Sequence, residues 1–572
     1  MPSQHPNSAP MALKITKREK PEPRWTADPH PLNPEPIEPS ETLLRHAFAA
    51  HRQGKSREAY DFCREILCAE PQNVAALNLA GIVTFQLGET DQAISILRKV
   101  LALDPLHAAA GTNLGTALRA RGNHGEAERV FRRVIEIDRS DPESHFNLGR
   151  TLQGLGRLAE AKVIYQHCLT LHPDHSRALL RLGNIAVSQG RYADAQTAYE
   201  SSLNADPLNA WAHYNLGAVF QEQNELEAAE RCFREALSCN PNFVEAWYSL
   251  GVVLLLAEQP GDAISAYLKA LDQDPTHVGA QMNIGNALQE LGSLKDAEVA
   301  YRKAIAMAPN YEKPCLNLAD LMLEKGDPRA AVELCEQFLA GNPGNTPILA
   351  LLVLALAEAG DENSLHRIVD PDQLILPQGI ESPVGYQSLD VFNDSLARHI
   401  LNHPSLTYEP AAHATRHGYH TGELLDEAKG PIADFEKLIH AGIETYRRSL
   451  PADPSHPFPA RPIKDIDLRL WAVVMESQGQ QDTHIHPAAW FSGVYYVNVP
   501  DAIRADDPAH GGWIEFGRPG PEFHVSFEPK VELICPQEGL MVLFPSYFYH
   551  RTIPFESSEQ RISMAFDVVI HD

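Results

Sequence analysis

The sequence predicts a multidomain chain: an all-α array of helix–turn–helix repeats, then an α+β domain whose strands form an antiparallel sandwich or jelly roll. Two observations point there. Prolines recur at positions 71, 105, 173, 207, 241, 275, 309 and 343, each step 34 residues except one of 68, where Arg139 holds the missing place. After the Pro-rich segment 451–462 the pattern changes, and short apolar segments such as Leu468–Met475 alternate with turn residues. A length of 572 residues exceeds one core and suits about three or four domain-sized units.

Residues 1–39 are rich in proline and polar residues and lack the apolar stretch of a signal peptide, so they read as a disordered leader. The formal charge is 48 − 75 = −27. That disfavours nucleic acid or an anionic membrane as the partner. No apolar run approaches the roughly 20 residues that span a bilayer. Eight cysteines without a CxxC pair, among them Cys63, Cys168, Cys232 and Cys335, fit a reduced, cytoplasmic setting.

The repeats occupy 40–370. A second series keeps the proline period: Gly81, Gly115, Gly149, Gly183, Gly217, Gly251 and Gly285, then Ala319. A small residue lets the two helices of a unit approach closely, and the proline ends the second helix and starts the turn into the next unit. Leu or Ile precedes most of these small residues, as in Asn113-Leu114-Gly115, and one unit opens Trp211-Ala212-His213-Tyr214-Asn215-Leu216-Gly217. The stretch resembles the tetratricopeptide repeat family. About nine units reach to about residue 345, with a less regular helical cap to about 370. Such stacks bury a continuous core and wind into a superhelix with a concave face. The expected partner is a protein or peptide ligand in the repeat groove; a structural arm or dimerisation surface is the plainer alternative.

Residues 371–385 break the helical period and read as a linker to a domain at 386–572. From Leu389 to about Leu450 helices interrupted by loops are expected, including Phe435–Arg448. Strands are expected at Leu468–Met475, Phe491–Val499, Gly512–Phe516, Leu540–Phe544 and Ile562–Ile570. His484 and His486, two apart on an extended segment, share a face because strand side chains alternate. His550 follows the apolar run Gly539–Phe544, and Arg561 and Ser563 lie two apart on the strand after it. Such a set can hold an iron ion and, beside it, the carboxylate of an organic acid.

His484-Ile485-His486-Pro487, Phe491-Ser492-Gly493-Val494-Tyr495-Tyr496-Val497, Phe544-Pro545-Ser546 with His550, and Arg561-Ile562-Ser563 resemble the 2-oxoglutarate/Fe(II) oxygenase family. The likeness runs over roughly residues 386–570. It implies a double-stranded β-helix, a jelly-roll core whose open end holds Fe(II), with 2-oxoglutarate as cosubstrate and O2 bound at the metal. It implies His484, His486 and His550 as metal ligands and Arg561 paired with the far carboxylate of 2-oxoglutarate. Ser563 would donate a second hydrogen bond there, and Tyr496 would touch the cosubstrate. One departure matters. The family's carboxylate ligand normally stands two residues after the first histidine, where this chain has His486. Asp482, on the same expected face, is the alternative ligand. His510, His524 and His571 read as ordinary residues, Trp490 and Phe491 as core or pocket wall, and Gly511-Gly512 as a turn.

The resemblance therefore implies a dioxygenase that couples decarboxylation of 2-oxoglutarate to hydroxylation of a C–H bond. A protein or peptide substrate presented by the repeats is the leading expectation. Two readings from other classes stand beside it: an oxygenase directed at a small molecule, and a repeat scaffold whose C-terminal domain is inactive for want of its carboxylate ligand. Glycosyl transfer would need a larger nucleotide-sugar-binding region than the chain after the array provides.

Overall fold

The computed structural model describes residues 40–571, apart from 411–413, 427–429, 452–455, 459–464 and 522. The leader at 1–39 and most of the Pro-rich segment 451–462 lie outside the described residues. The chain divides into two compact units, one ending at Asp274 and one beginning at Pro275. No described helix is long and apolar enough to cross a membrane.

The first unit is a run of helix pairs: α1 (Ser40–Arg52) with α2 (Ser56–Ala69), α3 (Val74–Gln86) with α4 (Thr90–Leu103), and α5 (Ala108–Ala120) with α6 (His124–Ile137). The pairs continue with α7 (Pro142–Gly154) and α8 (Leu158–Leu171), α9 (Ser176–Ser188) and α10 (Tyr192–Ala205), α11 (Ala210–Glu222) and α12 (Leu226–Cys239), and α13 (Val244–Leu256) and α14 (Pro260–Gln273). Each proline stands just past a second helix, as Pro105 after Leu103 and Pro207 after Ala205. Its fixed φ and missing N–H stop the helix from continuing. First helices open on a capping side chain: Asn73, His107, Asp141, His175 and Asn209 each accept a hydrogen bond from an early backbone N–H.

The series of small residues has a partner that the period alone did not reveal. Gly115 lies against the ring of Phe131, Gly149 against Tyr165, Gly183 against Tyr199, Gly217 against Phe233 and Gly251 against Tyr267. A Cβ at Gly149 would stand 2.5 Å from the Tyr165 ring. Only glycine lets the two helices close on a buried aromatic at that distance.

The second unit continues with α15 (Val278–Glu290), α16 (Leu294–Met307), α17 (Glu312–Glu324), α18 (Pro328–Gly341), α19 (Thr346–Ala359) and α20 (Glu362–Ile368). Gly285 meets the Tyr301 ring in the same way. At the next unit alanine replaces the glycine, and Cys335 replaces the aromatic. Both Ala319 and Cys335 are fully buried, so the added methyl occupies part of the space that a ring fills in the other units.

After a short helix α21 (Pro371–Leu374) come β1 (Leu376–Gly379), α22 (Leu389–Leu401), β2 (Thr407–Tyr408), β3 (Thr415–His420) and α23 (Ile432–Ser449). The remaining strands are β4 (Asp465–His484), β5 (Phe491–Asn498), β6 (Ile514–Phe516), β7 (Glu532–Ile534), β8 (Leu540–Pro545), β9 (His550–Thr552) and β10 (Arg561–His571). All pair antiparallel in the order β1-β8-β5-β10-β4-β9-β6-β7, with β2 and β3 branching from β4. This is the jelly-roll-like domain the alternation predicts. The segment read as a linker corrects that reading in part: Leu376–Gly379 pairs with β8 as an edge strand. Pro377 hid it, because proline is tolerated only at such an edge.

Two features of β4 build the site. Its first half pairs with β10 and its last residues with β9. Between them the register with β3 shifts, and His417 and Gln478 take φ of 50° and 64°. The ribbon turns a corner here. Gly479 sits inside it, where a Cβ would lie 2.6 Å from Met475 Cβ and 2.7 Å from Glu476 O.

One hydrophobic cluster runs through this whole unit, from Tyr301, Leu318, Leu349 and Leu352 into Phe435, Phe491, Tyr496 and Phe566. The last repeats and the jelly roll therefore share a core. Thr346 at the start of α19 donates to Ala489 O at 2.8 Å, and Tyr547 donates to Ile368 O at 2.8 Å.

Candidate metal centre

Strand β4 ends at His484 and β9 begins at His550, and the two are register partners. His486 stands in the turn beyond β4, where its backbone N–H donates to Ser546 O at 3.1 Å. The three rings converge, with centroids 4.3 Å apart for His484–His550 and 5.1 Å for each pair with His486. One ligand nitrogen from each lies within 4.8 Å of the others. Among the described residues this is the only such group of His, Cys, Asp or Glu.

Each ring is held from behind through Nδ1. His484 Nδ1 lies 2.7 Å from Asp482 O, His550 Nδ1 3.0 Å from Phe548 O, and His486 Nδ1 2.7 Å from Asp567 Oδ1. A carbonyl oxygen only accepts, so Nδ1 of His484 and of His550 carries the proton and Nε2 keeps its lone pair. Burial, then repulsion between the neighbouring imidazoles, pushes the His484 pKa down to about 4 and that of His550 well below its ordinary value. Both are neutral at physiological pH. Two neutral imidazoles with fixed tautomers, joined by a third ring beside them, suit a transition metal, so these residues fit Fe(II).

Asp482 is not brought to the cluster. Its carboxylate pairs with Arg416 at 3.0 Å and accepts from Gln480 at 3.1 Å. The register slips between Gln481 and His484, and a bulge there breaks the alternation that would have placed both residues on one face. Glu515, buried on β6, is engaged by Arg518 at 2.6 Å and Arg551 at 2.7 Å. The carboxylate that does reach the histidines is Asp567, which sequence reasoning passed over. It also accepts from Ser492 Oγ at 2.7 Å. Parity on β10 carried the signal, since Asp567 shares the face of Arg561 and Ser563.

Arg561 is 2% exposed, and its Nε and the Tyr496 hydroxyl are both buried without a hydrogen-bond partner. The guanidinium lies 5.0 Å from the centre of the Tyr496 ring, and Nη1 donates to Met475 Sδ at 3.5 Å. Ser563, also buried, is the register partner of Tyr496. Burial lowers the Arg561 pKa, and Tyr496 beside it opposes that. A buried cation with an unused donor is costly unless an anion joins it, so these residues fit the carboxylate of an organic acid. Trp490 and Phe491 are buried, and Trp490 Nε1 donates to Phe458 O at 3.2 Å. His524 lies apart, 3.8 Å from Asp320, and His510 packs on Trp513.

Comparison with known proteins fits this division. The family described as "Putative 2OG-Fe(II) oxygenase" matches residues 469–567. Tetratricopeptide repeats match residues 50–111 and 84–148, and the C-terminal domain of cilia and flagella-associated protein 70 matches 135–340. No curated protein matches the chain. Among solved structures, YrrB, titled as a TPR protein with an unusual peptide-binding site, is 26% identical, covering 32% of this chain and 95% of its own, with a TM-score of 0.30. MamA is 27% identical over 28% of this chain and 94% of its own, with a TM-score of 0.27. PilF of Pseudomonas aeruginosa is 19% identical over 38% of this chain and 97% of its own, with a TM-score of 0.34. The chain is a tetratricopeptide-repeat protein ending in a domain of the 2OG-Fe(II) oxygenase family.

Proposed function

We propose that the protein is a 2-oxoglutarate- and Fe(II)-dependent dioxygenase that hydroxylates a protein or peptide substrate presented by its repeats. The observation that carries this is one jelly roll holding both a convergent set of histidines and a buried arginine with an unused donor. His484, His486 and His550 would hold the metal, and Arg561, Ser563 and Tyr496 the far carboxylate of 2-oxoglutarate. When bound, iron and 2-oxoglutarate supply the oxidising chemistry, consuming O2 and releasing succinate and CO2.

The chain's own part is to prepare and shield that chemistry. Carbonyls of Asp482 and Phe548 keep two ligand nitrogens free of protons, and Asp567 places a negative charge behind the third. Trp471 stacks on His486 at 5.7 Å, and Phe544 packs 4.8 Å from His550. These rings pack against two of the three imidazoles and help to hold them in place. A polypeptide substrate is favoured by the shared core. Thr346, which opens a helix of the array's end, bonds Ala489 only three residues from His486. Glu358 on α19 accepts from the backbone of Ser526 at 2.7 Å and of Phe527 at 3.1 Å, in the loop between β6 and β7.

The test is anaerobic titration with Fe(II) and 2-oxoglutarate, followed by O2 exposure with peptides that the repeats retain. Succinate formation and a mass gain of one oxygen on a retained peptide are expected. Iron binding without any succinate, with or without peptide, would sink the dioxygenase reading.

A further inference from the structure

Three arginines stand on consecutive first helices of the first unit: Arg119 on α5, Arg150 on α7 and Arg181 on α9. Their steps of 31 fall three short of the 34-residue period. The row therefore shifts by nearly one helical turn, roughly 4.5 Å, at each repeat while staying on one side of the helices. All three charges act on one phenol, that of Tyr165, buried beneath Gly149.

Several other arginines of this unit are paired with carboxylates. Arg98 pairs with Glu126, Arg121 with Asp91, Arg132 with Glu128, and Arg191 with Asp194. Among the described residues Arg119, Arg150 and Arg181 meet no carboxylate, and Arg119 Nε is buried without any partner. Burial, then repulsion from Arg150, lowers the Arg119 pKa to about 10, and burial and Arg181 lower that of Arg150. A chain with 75 acidic side chains against 48 basic ones keeps three cations together without a carboxylate, Arg150 meeting only the face of the Phe146 ring at 5.8 Å. That arrangement costs free energy unless an anion completes it.

We propose that this row recognises an acidic segment of polypeptide, with Asp or Glu side chains meeting the arginines in turn. The neighbouring amides favour a polypeptide. On first helices of the same unit, α3, α5, α9 and α11, Asn113 Nδ2 donates to Asn78 Oδ1 at 3.2 Å, and Asn215 Nδ2 to Asn184 Oδ1 at 3.0 Å. Each amide keeps donor or acceptor capacity that an extended main chain can use. First helices of adjacent repeats lie roughly 10 Å apart, and an extended chain rises about 3.3 Å per residue. A carboxylate at about every third residue thus matches the row. This refines the reading of the array as a polypeptide-binding element. Binding is measured without iron, so its failure would leave the oxygenase reading untouched.

The experiment is fluorescence anisotropy on the full chain with a labelled Gly-Ser peptide bearing glutamate at every third position. Controls carry glutamine or phosphoserine at the same places. The glutamate peptide should bind and weaken steeply with added salt, and the glutamine peptide should not bind. Arg150→Gln should weaken binding about tenfold, the triple Arg119→Gln, Arg150→Gln, Arg181→Gln change should abolish it, and Arg132→Gln should leave it unchanged. Equal binding of the glutamine peptide, or full affinity in a folded triple variant, overturns the proposal. Binding of the phosphoserine peptide alone overturns it in favour of phosphopeptide recognition. Self-association lost on Arg150→Gln overturns it in favour of a second copy of the chain. Should the triple variant unfold, the wild-type preference for glutamate over glutamine and its salt dependence still decide.

Discussion

The repeats and the jelly roll both work by fixing one side chain against another from a different element, but with opposite redundancy. The glycine–ring contact of the array recurs from Gly115–Phe131 to Gly285–Tyr301, so each copy is one among several. The array also tolerates substitution within its pattern. Arg139 stands where other units have proline, Phe243 opens its helix without a side-chain cap, and Ala319 with Cys335 replaces glycine with aromatic. In the jelly roll each contact occurs once. His486, which stands where the family pattern has a carboxylate, is backed by a carboxylate on another strand. Local stability in a repeat is divided among equivalents, whereas a site fails at its weakest member.

The largest contrast should come from removing a ligand. His550→Ala should bring the iron content of anaerobically purified protein to background, while the helical signal and melting of the repeats stay at wild-type level. Asp482→Ala should keep its iron, because its carboxylate is engaged by Arg416. If Asp482→Ala loses iron and His486→Ala keeps it, the ligand set must be redrawn around the carboxylate.

Arg561→Ala comes next. Under the proposed function it removes a charge-assisted pair of hydrogen bonds to a desolvated carboxylate, a loss of roughly 2–5 kcal/mol. Iron content should hold, while the 2-oxoglutarate concentration for half-maximal succinate formation rises steeply. Unchanged 2-oxoglutarate dependence would remove Arg561 from the cosubstrate pocket.

The same contrast explains what could be read in advance. Repetition made the array legible, since a register kept over many units stands out against any single irregular residue. Arg561 and Ser563 share a buried face as parity on β10 predicts, and His484 and His550 meet as register partners, whereas His486 joins them from the turn beyond β4, which parity does not place. β3, β7 and β9 were not legible, because strands of three to six residues are set by their neighbours and not by local pattern. Asp482 misled because parity fails across the bulge after Gln481, which depends on β9. Asp567 obeyed parity, but its partner arrives only when the β3–β4 ribbon turns its corner.

Asp567→Asn should have a smaller, purely electrostatic effect. The amide oxygen can still accept from His486 Nδ1–H, so the ring keeps its orientation while the charge behind it disappears. Loss of such an outer partner typically weakens metal binding by about 10–100-fold. Titration of the metal-free protein with Fe(II) or Co(II) should show that shift, with Asp567→Ala weaker still. Wild-type affinity in both variants would mean that the missing ligand charge is not replaced from β10.

The smallest effect tests whether the array's contacts are truly interchangeable. Gly149→Ala drives a methyl into the Tyr165 ring, 2.5 Å from its nearest carbon, and overpacking of this kind costs about 1–3 kcal/mol. Tyr165→Cys alone leaves a cavity and strands Gln153, to which the phenol donates at 2.6 Å, costing about 3–5 kcal/mol. The double variant reproduces the Ala319–Cys335 pair in another repeat. If the two sites are equivalent, the methyl enters space the ring has left, and the double change should cost less than the sum by about 0.5–3 kcal/mol. Urea unfolding of the four proteins, followed by far-UV circular dichroism, completes the cycle. Strict additivity would mean that Ala319 and Cys335 are stabilised by the core they share with the jelly roll, and that the repeats are not interchangeable where they join it.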